Sequence, residues 1–278
     1  MISVIIPVWN GMPHLEGQLR AVAGQECGTP WEVVVADNGS SDGSRELARA
    51  WADQREEFHL IDASAVRGPS AARNAGVRVA RGDLLAFCDA DDLVGSGWLR
   101  ACVEALGSTE VVSGVFDFWS LNGREESPPI PPATRQMGFL PAGLGANLAV
   151  RREAFDKVGG FDEDLQVAED IDLCWRLQLD GLRFGIAPEA VVAKRGRNGV
   201  RQLVAQGYAY GLSAPSLYRR YRAHGARPDL TGALRSWLWL VVSIPRLGRV
   251  ERRQQWARTV GMRIGRLVAS ARHRVLFP

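Results

Sequence analysis

The chain has 278 residues, 46% of them hydrophobic, which suffices for one sizeable domain or for one domain with a smaller appendage. Four scattered cysteines (Cys27, Cys88, Cys102 and Cys174) argue against a disulfide frame or zinc site, and no uninterrupted apolar run is long enough to span a bilayer. The net charge of +3 conceals an asymmetry: residues 1–189 hold 29 of the 31 acidic side chains and 16 of the 34 Lys and Arg, a net −13, whereas the remainder holds 2 and 18, a net +16.

The N-terminal MISVIIPVWNG has no basic region ahead of its short apolar run, so Ile2 to Val8 is predicted as a first buried strand rather than a signal peptide. Met12 to Gln25 has helical spacing. Trp31 to Ala36 is a second strand, Ser44 to Asp53 a helix, and Phe58 to Ala63 a third strand. Ser70 to Ala80 follows as a helix and Asp83 to Cys88 as a strand. Strands apolar on both faces, alternating with helices, imply a parallel sheet covered on both sides. Val111 to Trp119 reads as a further strand, and the proline-rich, charged 122–136 as an exposed loop. Leu144 to Val150 is short and extended, Arg152 to Val158 a short helix, and Glu169 to Leu179 amphipathic. From Asn198 onward helical patterns dominate.

Ligands of such sheets bind outside the carboxyl ends of the strands, where the polar clusters of this sequence fall. FCDADDL places Asp89, Asp91 and Asp92 within four residues after an apolar run. Three carboxylates so close are not all ionised cheaply without a cation, and a magnesium or manganese ion shared with a diphosphate would offset them. The competing reading is a helix N-cap at Asp91 or Asp92, which accounts for one aspartate. Asp37, at the end of the second strand, either caps its turn or accepts hydrogen bonds from a ligand. Arg73 and Asn74 open a helix after Gly68 and Pro69, an arrangement that suits a phosphate. There is no GxGxxG and no GxxxxGK[ST]. Glu169, Asp170 and Asp172 begin an amphipathic helix, where they either favour the helix dipole or supply a proton acceptor.

Taken in order, VIIPVWN, VVVADNGSSDGS, GPSAARNAG, LLAFCDADD, GANLAVRREAFDKVGGFDE and AEDIDLCWRL resemble the inverting family-two glycosyltransferases from about Ile2 to about Pro188. The resemblance implies a GT-A fold: α/β, a mixed, mostly parallel sheet sandwiched by helices, here with a helical C-terminal extension. It implies a nucleotide-sugar-binding and catalytic domain over 1–195 and a basic helical extension over 196–278. Nucleotide-sugar contacts fall by resemblance on Pro7, Asn10, Asp37, Arg73, Asn74, Asp89, Ala90 and Asp91, with Asp91 and Asp89 holding Mg2+ or Mn2+. Gly145, Ala146, Asn147 and Glu169 match the acceptor and donor-sugar pocket, and Asp170 matches the catalytic base. Asn38 departs from the second aspartate that many members carry.

The implied activity is metal-dependent, inverting transfer of a sugar from a nucleoside-diphosphate donor, UDP or dTDP by resemblance, to a glycan, lipid-linked or small-molecule acceptor. The alternatives are a sugar-phosphate nucleotidyltransferase, whose early Gly-rich loop VWNGMPHLEG lacks, and a non-catalytic binding protein of the same fold. In the tail, Trp256, Val260, Ile264, Leu267 and Val268 form a stripe with Arg258, Arg263, Arg266 and Arg272 around it. Such a stripe either meets an anionic membrane surface or packs on the catalytic domain or a second subunit as a homodimer. No nucleic-acid motif accompanies the arginines. The expected location is cytoplasmic, either free or peripheral on the inner face of the cell membrane.

Overall fold

The computed structural model describes residues 1–123, 129–131, 136–197 and 199–277. These fall into two compact units, one within Met1–Thr134 and Pro141–Gly196, the other within Arg135–Leu140 and Arg197–Pro278.

The first unit is built on one eight-stranded sheet in the order β3-β2-β1-β4-β7-β6-β8-β5. Four strands run parallel: β1 (Ile2–Val8), β2 (Trp31–Asp37), β3 (Phe58–Asp62) and β4 (Leu84–Cys88). The β-branched, buried residues of β1 and β2 suit a sheet covered on both faces. The intervening helices are α1 (Leu15–Ala23), α2 (Ser44–Gln54) and α3 (Pro69–Val79). α3 lies very close to β1: a Cβ on Gly76 would stand 2.5 Å from Ile5 Cγ2.

The register of β1 explains where the sheet opens. β2 pairs with β1 along its whole length, to Val8↔Asp37, but β4 pairs only as far as Ile5↔Phe87. Beyond Ile5 the two strands part, and the order 2-1-4 places the reversal of strand order there. This is the position at which open α/β sheets bind ligands.

Downstream, the sheet becomes mixed. β7 (Asn147–Arg151) is antiparallel to both β4 and β6 (Val111–Asp117), and β8 (Phe184–Ala193) is parallel to β6 and antiparallel to the two-residue β5 (Leu93–Val94). The strand predicted from Val111 to Trp119 stops at Asp117, whose Oδ1 accepts the N–H groups of Trp119 and Ser120. β8 was not anticipated from sequence. It contains Pro188, exposes Glu189 and shifts register against β6 between Ser113 and Val115. Gly114 makes the shift feasible, since a Cβ there would lie 2.1 Å from the Ala190 carbonyl oxygen. Three helices complete the unit: α4 (Trp98–Ala105), α5 (Arg152–Lys157) and α6 (Glu169–Leu179). The expected loop over 122–136 lies mostly outside the described residues.

The second unit consists of α7 (Val200–Tyr221), α8 (Leu230–Val242) and α9 (Val250–His273), with 136–140. Asp229 caps α8, accepting the Gly232 N–H at 2.8 Å. α7 and α9 meet backbone to backbone. A Cβ on Gly207 would stand 2.0 Å from the Arg258 carbonyl oxygen, and one on Gly261 2.1 Å from that of Val204. The buried face of α9 is accordingly Ala257, Gly261, Gly265 and Ala269, together with Arg263. This corrects the stripe read from sequence. Ile264, Leu267 and Val268 are exposed, because a crossing this close admits only small residues.

Candidate active site

The site gathers at the carboxyl ends of β1, β2 and β4 and at the start of α6, all within the first unit. After β1, Asn10 turns with a φ of 52°, and its Oδ1 accepts the Ser41 N–H at 2.9 Å. The Gly11 N–H donates to Ser44 Oγ at 2.8 Å and the Met12 N–H to Asp42 Oδ2 at 2.9 Å. The loops after β1 and β2 are thereby stitched together. Pro7, beyond the reach of β4, is half-buried beside them.

Asp37 ends β2 with its side chain buried. Oδ1 accepts the Ser40 N–H at 3.2 Å; Oδ2 lies 3.4 Å from Arg45 Nε but has no hydrogen-bond partner among the described residues. Arg45 is bound more closely to Asp62, at 2.6 Å. The neighbouring Asn38 donates from Nδ2 to the carbonyls of Ala63 (2.6 Å) and Val66 (2.8 Å), and accepts the Gly68 N–H at 2.9 Å. An ionised aspartate there could not donate, which explains the departure noted at this position.

Arg73 is the centre of the constellation. Its guanidinium, buried on α3, donates to Asp89 Oδ1 at 2.9 Å and to Glu169 Oε1 at 2.7 Å, and lies over the Phe161 ring. One side chain thus joins the loop after β4 to the start of α6, bonding Glu169 from 96 residues away in sequence. Gly145 lies against the same group, since a Cβ there would stand 3.0 Å from the guanidinium carbon. The Gly145 N–H donates instead to Asp170 Oδ2 at 2.8 Å, and the Ile171 N–H to Oδ1 at 2.8 Å. Ala168, immediately before this pair, has a φ of 67°, a left-handed conformation unusual for alanine.

Asp89, Asp91 and Asp92 bring carboxylate oxygens within 4.8 Å of one another. An all-oxygen donor set of this kind suits a hard divalent cation, and Asp91 is the exposed member. The backbone here is held by Gln18, which donates to the Asp89 carbonyl and accepts the Val94 N–H. Lys194, which follows β8, places Nζ 3.0 Å from Asp89 Oδ2 and 2.6 Å from Asp92 Oδ2. Sequence reasoning missed this residue. Its one signal was singularity: Lys157 and Lys194 are the only lysines, and Lys194 directly follows an apolar run.

The electrostatics follow from burial set against these partners. Burial raises the Asp89 carboxyl, but Lys194 and Arg73 outweigh it and hold the group at about 2. Burial pushes Asp92 up to about 6 against Lys194, with Asp89 and Asp91 adding to the rise. Glu169 is pushed up to about 7 by burial and then by the charge of Asp170, against Arg73. Burial also raises Asp170, against the Gly145 N–H and Arg73. Asp170 keeps partial exposure, whereas Glu169 is buried.

Two side chains assigned to the site by resemblance are engaged elsewhere. Asn74 binds the 161–163 loop, donating to the Phe161 carbonyl and to Glu163 and accepting the Phe161 N–H. Asn147 is fully buried: its Oδ1 accepts from Trp98 Nε1 at 2.8 Å, and its Nδ2 donates to the carbonyls of Val115 and Ala190. Ala90 and Ala146 are buried small residues beside the cluster loops.

Residues 3–159 match the family described as Glycosyl transferase family 2, and residues 133–267 match Glycosyl transferase family group 2. The chain is 31% identical over 276 residues to a pre-mycofactocin glycosyltransferase of Mycobacterium tuberculosis, covering 90% of this chain and 54% of that protein. It is 28% identical over 229 residues to a validoxylamine A glucosyltransferase of Streptomyces hygroscopicus, covering 68% and 54%. The chain therefore spans about half the length of these curated relatives. A mannosyltransferase from Pyrobaculum calidifontis, solved with GDP-Man and Mn2+, superposes with a TM-score of 0.64 at 19% identity, covering 96% of this chain and 86% of that one. Staphylococcus aureus TarS 1–349, solved with UDP-GlcNAc, gives 0.56 at 17% identity, covering 100% and 93%. These likenesses carry the fold, the GT-A arrangement of a mixed, mostly parallel sheet flanked by helices. With that fold, and with a family match running unbroken from β1 through the Asp89 loop to α5, the chain belongs to glycosyl transferase family 2.

Proposed function

We propose that this glycosyltransferase moves a sugar from a nucleoside-diphosphate donor to an acceptor hydroxyl in a metal-dependent reaction that inverts the anomeric carbon. The observation that carries the reading is the Arg73 bridge, which ties the Asp89 loop to the Glu169–Asp170 pair at hydrogen-bond distance. Donor-diphosphate and acceptor chemistry thereby share one buried network.

In this reading residues 1–195 are the catalytic domain and 196–278 an extension. Asp37 engages the nucleotide base with Oδ2, which accepts no hydrogen bond among the described residues, while Pro7, Asn10 and Ala90 border the donor. Asp91, with Asp89, would hold Mg2+ or Mn2+, which supplies positive charge toward a diphosphate leaving group. The acceptor O–H gives its proton to Asp170 as its oxygen bonds to the anomeric carbon. The bond from that carbon to the diphosphate breaks, and its electron pair leaves with the nucleoside diphosphate. Arg73 adds a second, fixed positive charge to the same network, beside Asp89. A raised carboxyl makes Asp170 a better proton acceptor than an ordinary aspartate.

The nucleotide-sugar names of the solved neighbours, GDP-Man and UDP-GlcNAc, support donors of this class. A nucleotide-release assay with UDP-, dTDP- and GDP-sugars, with and without Mn2+, tests the reading. Release only on adding acceptor supports transfer. Pyrophosphate exchange would indicate a nucleotidyltransferase, and binding without turnover a non-catalytic protein.

A second reading concerns location. Among the described residues no helix is long and apolar enough to cross a membrane. Yet α8 turns Leu234, Leu238 and Val241 outward, 60–72% exposed, and exposed Arg246, Arg249, Arg252 and Arg253 follow it. An apolar helix face rimmed with arginine suits peripheral contact with an anionic membrane, where a glycan or lipid-linked acceptor of the cell envelope would be met. Leu238→Glu should abolish sedimentation with anionic vesicles. A concentration-dependent mass, lost in the same variant without any vesicle binding, would assign the face to a homodimer.

A further inference from the structure

The reaction proposed above gives no role to Lys194, which lies in the acidic cluster. The Lys194 ammonium bonds Asp89 Oδ2 and Asp92 Oδ2, at 3.0 and 2.6 Å. The remaining oxygens of both carboxylates are also engaged: Asp89 Oδ1 accepts from Arg73 at 2.9 Å, and Asp92 Oδ1 from the Arg195 N–H at 2.8 Å. Of the three carboxylates that converge here, two have both oxygens bonded by the protein itself, and Asp91 is the one that stands exposed. A metal ion that recruits Asp89 must therefore contend with an ammonium already on it, and the two cations repel.

We propose that Lys194 is a resident counter-cation of the acidic cluster, a positioning residue that a divalent ion must displace from Asp89. It disfavours bare metal. A metal ion arriving with a diphosphate brings the negative charge that receives the displaced ammonium, so metal and donor enter together. The order of entry rests on the reading of this cluster as the donor site; the contest between ammonium and metal does not.

The first test uses Mn2+ alone with the full chain, free metal being read by electron paramagnetic resonance. The wild type should bind weakly. Lys194→Met, with two carboxylates released, should bind at least about tenfold more tightly, while Lys194→Arg, which keeps the charge, should stay near wild type. Mn2+ should also raise the Tm of Lys194→Met more than that of the wild type, an effect that mere loss of packing would not produce. Equal Mn2+ affinity in wild type and Lys194→Met overturns the proposal.

A second measurement needs no variant. With only two lysines in the chain, lysine labelled with 13C at Cε gives two signals. Lys157, paired with Asp180 at 2.6 Å and more than half exposed, serves as the internal control. Mg2+ together with whichever of UDP, GDP and dTDP binds most tightly by calorimetry should shift the Lys194 signal and leave Lys157 in place. Binding of that complex with Lys194 unmoved overturns the proposal. If no nucleotide binds, the donor reading fails and the Mn2+ comparison still decides the role of Lys194.

Discussion

The backbone N–H of Gly145 donates to Oδ2 of Asp170 over 2.8 Å, from 25 residues away in sequence. With the Ile171 N–H on Oδ1, it fixes the orientation of the proposed base, and each oxygen retains room to accept a proton. Asp170→Asn keeps the shape and removes the basicity. It is expected to lower the transfer rate at least about a hundredfold while donor affinity survives. Single-turnover rates beside donor calorimetry check this, and near-normal turnover would remove Asp170 from the role.

Asp91 is the carboxylate of its cluster that the protein leaves exposed. Asp91→Ala is expected to abolish the metal-dependent part of donor binding. Calorimetry with and without Mn2+ measures that part directly; an unchanged affinity would place the cation elsewhere.

Arg73 is buried between two acids, so removing it strands both. Arg73→Met is expected to cost about 3 kcal/mol or more in urea unfolding, the range for breaking a buried ion pair from one side. Arg73→Lys should recover only part of this, since an ammonium lacks the planar fork that spans Asp89 and Glu169. If Arg73→Met unfolds like the wild type, the bridge does not hold the two loops together.

Stability should fall as the pH rises from about 5 to about 7. Glu169 and Asp92 titrate at about 7 and about 6 in the folded chain, above their ordinary carboxylate values, so the folded state holds their protons where the unfolded state has released them. Their contribution is complete below the unfolded values and is lost as pH climbs through the folded ones. Asp89, held at about 2, acts in the opposite sense, and its contribution is lost only in stronger acid. Thermal melts across this window should peak near pH 5, and Glu169→Gln should flatten the decline. A Tm that rises steadily to pH 7 would contradict these assignments.

The first half of the fold was legible in the sequence because β1 and β2 are buried β-branched runs and β3 and β4 are short apolar stretches that alternate with helical spacing. β8 was not legible, because Pro188 and the exposed Glu189 interrupt its pattern and its edge is shaped by the shift at Gly114. The small-residue face of α9 was hidden for a related reason: hydrophobic periodicity marks large residues, and this contact is made by Gly261 and Gly265. In the site, motif order picked out Asp37, which ends β2, Asp89, which follows β4, and Asp170, in the first turn of α6; Arg73, expected to open its helix, lies a turn inside α3. Motif order could not tell a ligand-facing amide from a structural one. Asn74 and Asn147 both carry their hydrogen bonds inward, which only the three-dimensional partners reveal. Lys194 was hidden by distance, 105 residues from the aspartate it neutralises.

That distance has a consequence for the nascent chain. During synthesis, the aspartates after β4 leave the ribosome long before the lysine that balances them, and Glu169 follows Arg73 by nearly a hundred residues. Until residue 194 has emerged, Asp92 lacks its ammonium, Asp89 has Arg73 alone as its cation, and β8 has only just been completed. A nascent chain halted short of residue 194 should therefore present an acidic mouth that draws divalent cations more strongly than the finished protein does.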